Sequence, residues 1–173
     1  EDDTRVSLRG WTFDRHGPAD ASVYRARLGS DSAGYAIDLE LAATQPVLLQ
    51  GDAGFSRKGP RPQQASHYYS QPQLAVTGTL TRDGRGQPVQ GRAWLDHEWS
   101  ESLLDAEAVG WDWIGMNLID GSALTAFRLR RADGSVLWAG GSLRRPGGAV
   151  RAFSNDEVRF TPGEAWTSAV SRA

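Results

Sequence analysis

Residues 111–130 read WDWIGMNLIDGSALTAFRLR, two apolar and aromatic runs broken by Asp120-Gly121. An Asp-Gly pair between such runs marks a hairpin, because both positions accept the positive φ angles of a tight β-turn. The reading is a strand over 111–118, a turn at Asp120-Gly121 and a returning strand over 122–130. Downstream, Ala132-Asp133-Gly134-Ser135 is a second such turn leading into a strand over 136–143, and Pro146-Gly147-Gly148 is a third.

The same grammar extends upstream. Tyr35, Ile37, Leu39 and Leu41 alternate with Ala36, Asp38, Glu40 and Ala42, the period of two expected of a strand with one buried face. Leu74, Val76, Gly78 and Leu80 repeat it and run into Arg82-Asp83-Gly84-Arg85-Gly86, a strong turn. The run 89–99 is then expected to return antiparallel. Residues 13–27 read as strand, with a register blurred by Gly17-Pro18. Strands at roughly ten-residue spacing joined by turns predict an all-β fold, an antiparallel sandwich or barrel. Residues 100–109 (SESLLDAEAV) are the one helical candidate, a short helix or turn capped by Ser100. Residues 50–64, rich in glycine, proline and charge, read as a long loop, and 161–173 trail off without a closing strand.

Composition narrows the function classes. A length of 173 residues suits one domain with a substantial core, and 20 glycines, 8 prolines and one methionine fit a turn-rich β protein. A net charge of −2 gives no electrostatic case for nucleic acid. There is no cysteine, so disulfide frameworks and thiolate chemistry are excluded. No apolar run reaches the 18 residues of a membrane-spanning helix, and the opening EDDTRVSLRG lacks a signal-peptide pattern.

Chemistry concentrates in residues 91–118, which hold four of the seven tryptophans interleaved with Asp96, His97, Glu98 and Asp112. With 93–99 as a strand, Ala93, Leu95, His97 and Trp99 share one face and Trp94, Asp96 and Glu98 the other. In the next strand Asp112 shares its face with Ile114, Met116 and Leu118, opposite Trp111 and Trp113. His97 and Asp112 thus sit on otherwise apolar faces. A carboxyl group there is expected to have a raised pKa and to serve as a proton donor at neutral pH. The bland alternatives stand beside this: a hydrogen-bonded structural histidine, an aspartate bonded to backbone or arginine, tryptophans that only fill a core, and solvated Asp96 and Glu98. His67-Tyr68-Tyr69 supplies polar-tipped aromatics for a pocket rim. Gly51-Asp52-Ala53-Gly54 lacks the lysine and hydroxyl of a phosphate loop, the three histidines have no metal-ligand spacing, and no GxSxG elbow occurs.

Four segments together carry a resemblance: GDAGFSRKGP at 51–60, HYYS at 67–70, GRAWLDHEWS at 91–100 and GWDWIGMNLIDGSALTAFRLR at 110–130. They are similar to the lipocalin-like proteins grouped as AttH-like and carotenoid 1,2-hydratase proteins, often labelled secreted hydrolases. The resemblance covers roughly residues 39–160. It implies paired lipocalin-like barrels with an apolar ligand site, in which some members hydrate a carbon–carbon double bond after protonation by an acidic residue. Matching motif positions assign His97 and Trp99 to that site. Asp96 and Asp112 are candidates for the acid on position and face, and Tyr68, Tyr69, Trp94, Trp111 and Trp113 join Trp99 as candidate ligand contacts.

No metal is expected from the histidine spacing and no cofactor is expected, while the resemblance implies an exported or periplasmic location and contact with a membrane surface. Family chains are roughly twice this length and carry an early tryptophan- and tyrosine-rich segment that is not seen here. The expectation is a partial lipocalin-like domain over 1–160 with a tail or linker start over 161–173, completed by another chain or domain, since a barrel missing strands leaves backbone unpaired. Three functions follow as expectations: a cofactor-independent hydratase or isomerase of a polyene or terpenoid, a non-catalytic carrier of an apolar ligand, and a structural part of a larger exported complex.

Overall fold

The computed structural model describes residues 4–101 and 104–171. Twelve strands run in chain order: β1 (Arg5–Leu8), β2 (Trp11–His16), β3 (Val23–Ser30), β4 (Tyr35–Ala42), β5 (Leu48–Leu49), β6 (Phe55–Arg57), β7 (Ala65–Arg82), β8 (Arg85–Trp99), β9 (Gly110–Asn117), β10 (Ala123–Arg130), β11 (Val136–Arg144) and β12 (Val150–Phe153). No helix occurs among the described residues. The fold is all-β and antiparallel, a lipocalin-like half-barrel with a second, smaller sheet against it.

The larger sheet is built around β7. Its order is β1-β2-β3-β4-β7-β5, with β6 and β8 also paired to β7. The C-terminal half of β7 pairs with β4, the N-terminal half with β5 and β6, and β8 follows it along the other edge. The β7–β8 hairpin closes at Asp83-Gly84, with φ of 50° and 74°, the left-handed conformations that this two-residue turn requires. A register shift between Gln71 and Leu74, with Gln73 at φ 54°, bends β7 halfway along.

Alternation explains which face is inside. Tyr24, Ala26, Leu41 and Leu74 form a buried cluster, with Phe13, Leu28, Leu39, Val76, Ala93 and Leu95 packed against it. This is the concave face. On the convex face Arg25 and Arg27 lie directly across from Glu40 and Asp38, at 3.3 and 3.1 Å, so the polar positions of β3 and β4 form cross-strand ion pairs in solvent.

The smaller sheet has the order β12-β11-β10-β9 and its own cluster of Phe127, Leu129 and Leu137. It joins the larger sheet through a polar seam. The buried Arg144 donates to the carbonyls of Val47 and Pro46 and to Gln45 Oε1, at 3.0, 2.8 and 3.0 Å. Gln73 Nε2 donates to the carbonyls of Leu118 and Ser122, both at 3.0 Å, while its backbone N–H donates to Asn117 Oδ1 at 2.7 Å. A buried guanidinium or amide is tolerable only when bonded this way.

Three expectations change. Residues 13–27 are two strands, β2 and β3, because the chain reverses through Gly17 at φ 84° and the Ala21 N–H bonds to the Pro18 carbonyl at 3.1 Å. The 50–64 loop contains β6, which pairs with β7. In 100–109, positions 102 and 103 lie outside the described residues. The described remainder holds a turn in which Asp105 Oδ1 accepts from the Glu107 N–H at 2.8 Å, while the Ser100 hydroxyl donates to the Ala65 carbonyl at 2.8 Å. The structure adds the short strands β1, β5, β6 and β12 to those the alternation predicts. β5 and β6 run only two and three residues, too short for a periodic signal.

Candidate functional site

The β7–β8 register distributes the candidate residues between two faces. His67 lies opposite Trp99, Tyr68 opposite Glu98, Tyr69 opposite His97, and Ser70 opposite Asp96. Directly opposed residues share a face, so Tyr69, His97 and Trp99 project to the concave side and Tyr68, Ser70, Asp96 and Glu98 to the convex side.

On the concave side, Tyr69 Oη and His97 Nδ1 lie 2.9 Å apart, and the Trp99 ring sits 5.1 Å from His97 and 5.3 Å from His67. Tyr69, His97 and Trp99 line the wide, open mouth of the half-barrel, together with Tyr24, Arg15, Val47 and Leu49. The His97 reading as a hydrogen-bonded residue and its reading as part of a pocket wall therefore coexist.

On the convex side the two sheets form the walls of a half-open cavity of about 390 Å³. The smaller sheet supplies its apolar wall: Trp111, Trp113, Phe127 and Leu129, with Leu104 beside them. The larger sheet supplies a polar edge of Lys58, Ser66, Tyr68 and Glu98, and Trp99 reaches the rim. An apolar cleft with a few convergent polar groups, of this size, has the anatomy of a small-molecule site.

The polar groups are wired together. The Lys58 ammonium lies 2.9 Å from Glu98 Oε1, donates to Ser56 Oγ at 3.0 Å, and sits over the rings of Phe127 and Tyr68, 4.3 and 4.6 Å from their centroids. Ser66 also donates to Glu98. Burial pulls the Lys58 pKa below that of an ordinary lysine, only partly offset by Glu98 and Asp96. Tyr68 donates to Asp96 Oδ1 at 2.9 Å and accepts from Trp113 Nε1 at 3.1 Å. Burial, then the Asp96 charge, pushes its pKa up, so the phenol stays protonated. Ser70 donates to Asp96 at 2.5 Å, accepts from Gln50 at 3.0 Å, and Gln50 in turn accepts from Ser142 at 2.8 Å. This chain of bonds runs from β11 through the larger sheet to β9.

Gly115 makes the aromatic wall possible. A Cβ there would stand 2.5 Å from Trp113 Cη2 and 3.0 Å from Trp94 Cε2, so the Trp113 indole lies across the space a side chain would occupy. That placement brings its Nε1 to Tyr68.

Asp112 departs from expectation. It lies opposite Arg128 on the face of β9 turned away from the cavity, and its Oδ2 is 2.5 Å from Arg128 Nε and 3.1 Å from Arg130 Nε. The Arg128 hydrogen bond, with Arg130 nearby, holds its carboxyl below the ordinary carboxylate range. The raised pKa expected from an apolar face is thus reversed. Ile114, Met116 and Leu118 do share its strand face, but the neighbouring strand supplies two guanidinium groups. Asp112 and His97 do not meet. Asp96 belongs to the bond network beneath the cavity, and Trp94 packs beside Trp113 with its Nε1 lacking a partner among the described residues.

Nine of the thirteen lining residues lie outside the site residues expected from sequence, Lys58, Ser66, Glu98, Phe127 and Leu129 among them. One signal was legible. Lys58 is the sole lysine, the other 18 of the 19 basic residues being arginine.

Comparison with known proteins places this geometry. The AttH-like family model matches residues 1–173. A crystal structure assigned as an AttH, from Nitrosomonas europaea, superposes with a TM-score of 0.91 at 47% identity, covering 98% of this chain and 52% of that one. This chain therefore spans about half the length of that relative. Kievitone hydratase from Nectria haematococca shares the fold, with a TM-score of 0.64 at 12% identity over 99% of this chain and 68% of that one. No curated protein matches. With a family model matched from end to end and a solved relative at 47% identity, the chain belongs to the AttH-like family.

Proposed function

We propose that this chain binds a hydrophobic small molecule, of the polyene, terpenoid or lipid class, in the cavity between its two sheets. The observation that carries the reading is the cavity itself: about 390 Å³, walled by Trp111, Trp113, Phe127 and Leu129, with its polar groups confined to one edge. Such a surface gains free energy by releasing water when an apolar molecule enters, and the edge groups orient it. Exchange of an apolar ligand with a membrane surface, in an exported setting, belongs to the same proposal.

A second reading is hydration of a carbon–carbon double bond, favoured by the fold shared with kievitone hydratase and by the Asp96–Tyr68 pair at the floor of the cavity. Binding ranks first because the carboxylate that lines the cavity, Glu98, is engaged by Lys58 and Ser66, while Asp112 is held ionised on another face.

Isothermal titration of the chain with geraniol or retinol at two temperatures tests the binding reading. Saturable binding with a negative heat-capacity change is expected. Trp111→Ala, an exposed position that lines the cavity, should weaken it by roughly tenfold, the loss of one aromatic contact of about 1.4 kcal/mol. Binding that ignores Trp111→Ala would overturn the site assignment. Hydrated product, abolished by Asp96→Asn with binding retained, would promote the second reading to first.

A further inference from the structure

Lysine is used once in this chain, and it is used at the cavity. Every other ion pair among the described residues has arginine as its cation: Arg5, Arg25, Arg27, Arg61, Arg82, Arg128, Arg130, Arg131 and Arg151. Arginine suits a structural ion pair at least as well as lysine, since its guanidinium is planar, forked and always charged. What lysine offers and arginine does not is an amine that can lose its proton and attack a carbonyl carbon. We infer that Lys58 is a covalent attachment site for an apolar aldehyde, held in the cavity as an imine with Glu98 as its counter-ion.

The surroundings fit that chemistry. The Lys58 side chain is 15% exposed and its Nζ lies between the faces of Phe127 and Tyr68, which favour a cation without solvating it as water does. Desolvation lowers its pKa, which raises the fraction of free amine at neutral pH. Glu98 Oε1, 2.9 Å from Nζ, is placed to receive a proton from the amine. The Nζ lone pair then attacks the aldehyde carbon, the N–C bond forms as the carbonyl π bond opens, and the oxygen takes the proton that the now-cationic nitrogen gives up, leaving a neutral carbinolamine. Loss of the hydroxyl with a second proton, returned from Glu98, releases one water and leaves a carbon–nitrogen double bond. The protonated iminium keeps the charge of the ammonium it replaces, so the Glu98 carboxylate stays neutralised. The apolar remainder of the aldehyde lies against Trp111, Trp113 and Leu129.

This inference rests on the proposed binding of apolar molecules in the same cavity. The two are separated by comparing citral, an apolar aldehyde, with geraniol, its alcohol counterpart. The full chain is incubated with each, treated with sodium cyanoborohydride, digested and mapped by mass spectrometry. The only other amine able to react is the chain's N-terminus, so the map has two candidate positions. The expected result is a reduced citral adduct at Lys58, formed about tenfold or more faster in the folded chain than in urea, as for an activated amine. Geraniol should bind without an adduct and slow the labelling in competition. Lys58→Arg keeps a cation beside Glu98 and should abolish the pocket adduct while the N-terminal adduct persists as the internal control. Geraniol and citral binding with no Lys58 adduct, or an adduct only at the N-terminus, overturns the inference and leaves the binding reading intact. Failure of both to bind overturns both.

Discussion

Replacing Asp112 with asparagine separates an ion-pair residue from a catalytic one. Asp112 Oδ2 lies 2.5 Å from Arg128 Nε and 3.1 Å from Arg130 Nε, with the Asp112 side chain 33% exposed and that of Arg128 16% exposed. Asparagine keeps the shape and one acceptor but removes the charge, leaving a half-buried guanidinium without its counter-ion. Hydrogen bonds to charged groups contribute about 1.5–3 kcal/mol, and partial exposure screens this toward about 1–2 kcal/mol. For a chain of this size that corresponds to a fall in Tm of roughly 2–8 °C. The pH dependence has a definite sign. The folded-state pKa of Asp112 is depressed by Arg128, so its stabilisation is fully present above the unfolded carboxyl pKa of about 3.9 and is lost as pH falls through the lower folded value. Urea unfolding of the two proteins should therefore differ at neutral pH and converge in acid. Ligand titration should give equal affinities. Equal stability at neutral pH, or a loss of binding without a loss of stability, would refute this account of Asp112.

Two further substitutions probe the site's construction. Gly115→Ala pushes a methyl into the Trp113 and Trp94 rings and should break the Trp113–Tyr68 bond. The expected readouts are a shifted tryptophan emission and a loss of about 2–10-fold in ligand affinity, the equivalent of one hydrogen bond of about 0.5–1.5 kcal/mol; an unchanged spectrum would count against the described packing. Gln50→Ala leaves the hydroxyls of Ser70 and Ser142 without the buried amide that joins them, and should cost about 2–4 kcal/mol in urea unfolding. A cost below about 1 kcal/mol would mean that the link between the sheets lies elsewhere.

Much of the fold is legible because strands report their own period. The alternation of Tyr35–Ala42 and the Asp-Gly turns at 83–84 and 120–121 belong to local physics, in which pleat and turn geometry depend on adjacent residues. The division of Trp94, Asp96 and Glu98 from His97 and Trp99 follows from the same rule, and the β7–β8 register keeps it. Short strands such as β5 and β6 escaped, because two or three residues carry no period and their pairing depends on β7 alone.

The candidate site was legible in composition and not in arrangement. Tyr68, Trp99, Trp111 and Trp113 line one cavity, whereas Tyr69 and His97 open onto the other side of the sheet. Asp112 shows why. Its own strand places it among apolar side chains, but its ionisation is governed by Arg128 and Arg130, which lie 16 and 18 positions away and are brought across by the β9–β10 register. Lys58 is the converse case. Its uniqueness is written in the sequence, yet its partner Glu98 lies 40 positions away and the Phe127 ring 69, so only the closing of the second sheet against the first creates the desolvated pair. The sequence by itself determined the family, the all-β class and the face each side chain takes on its strand, since these follow from local periodicity and motif. The tertiary structure alone decided which faces meet, and therefore which charges are neutralised, which are desolvated and where an apolar molecule fits, because burial and Coulomb interactions depend on distance in space and not along the chain.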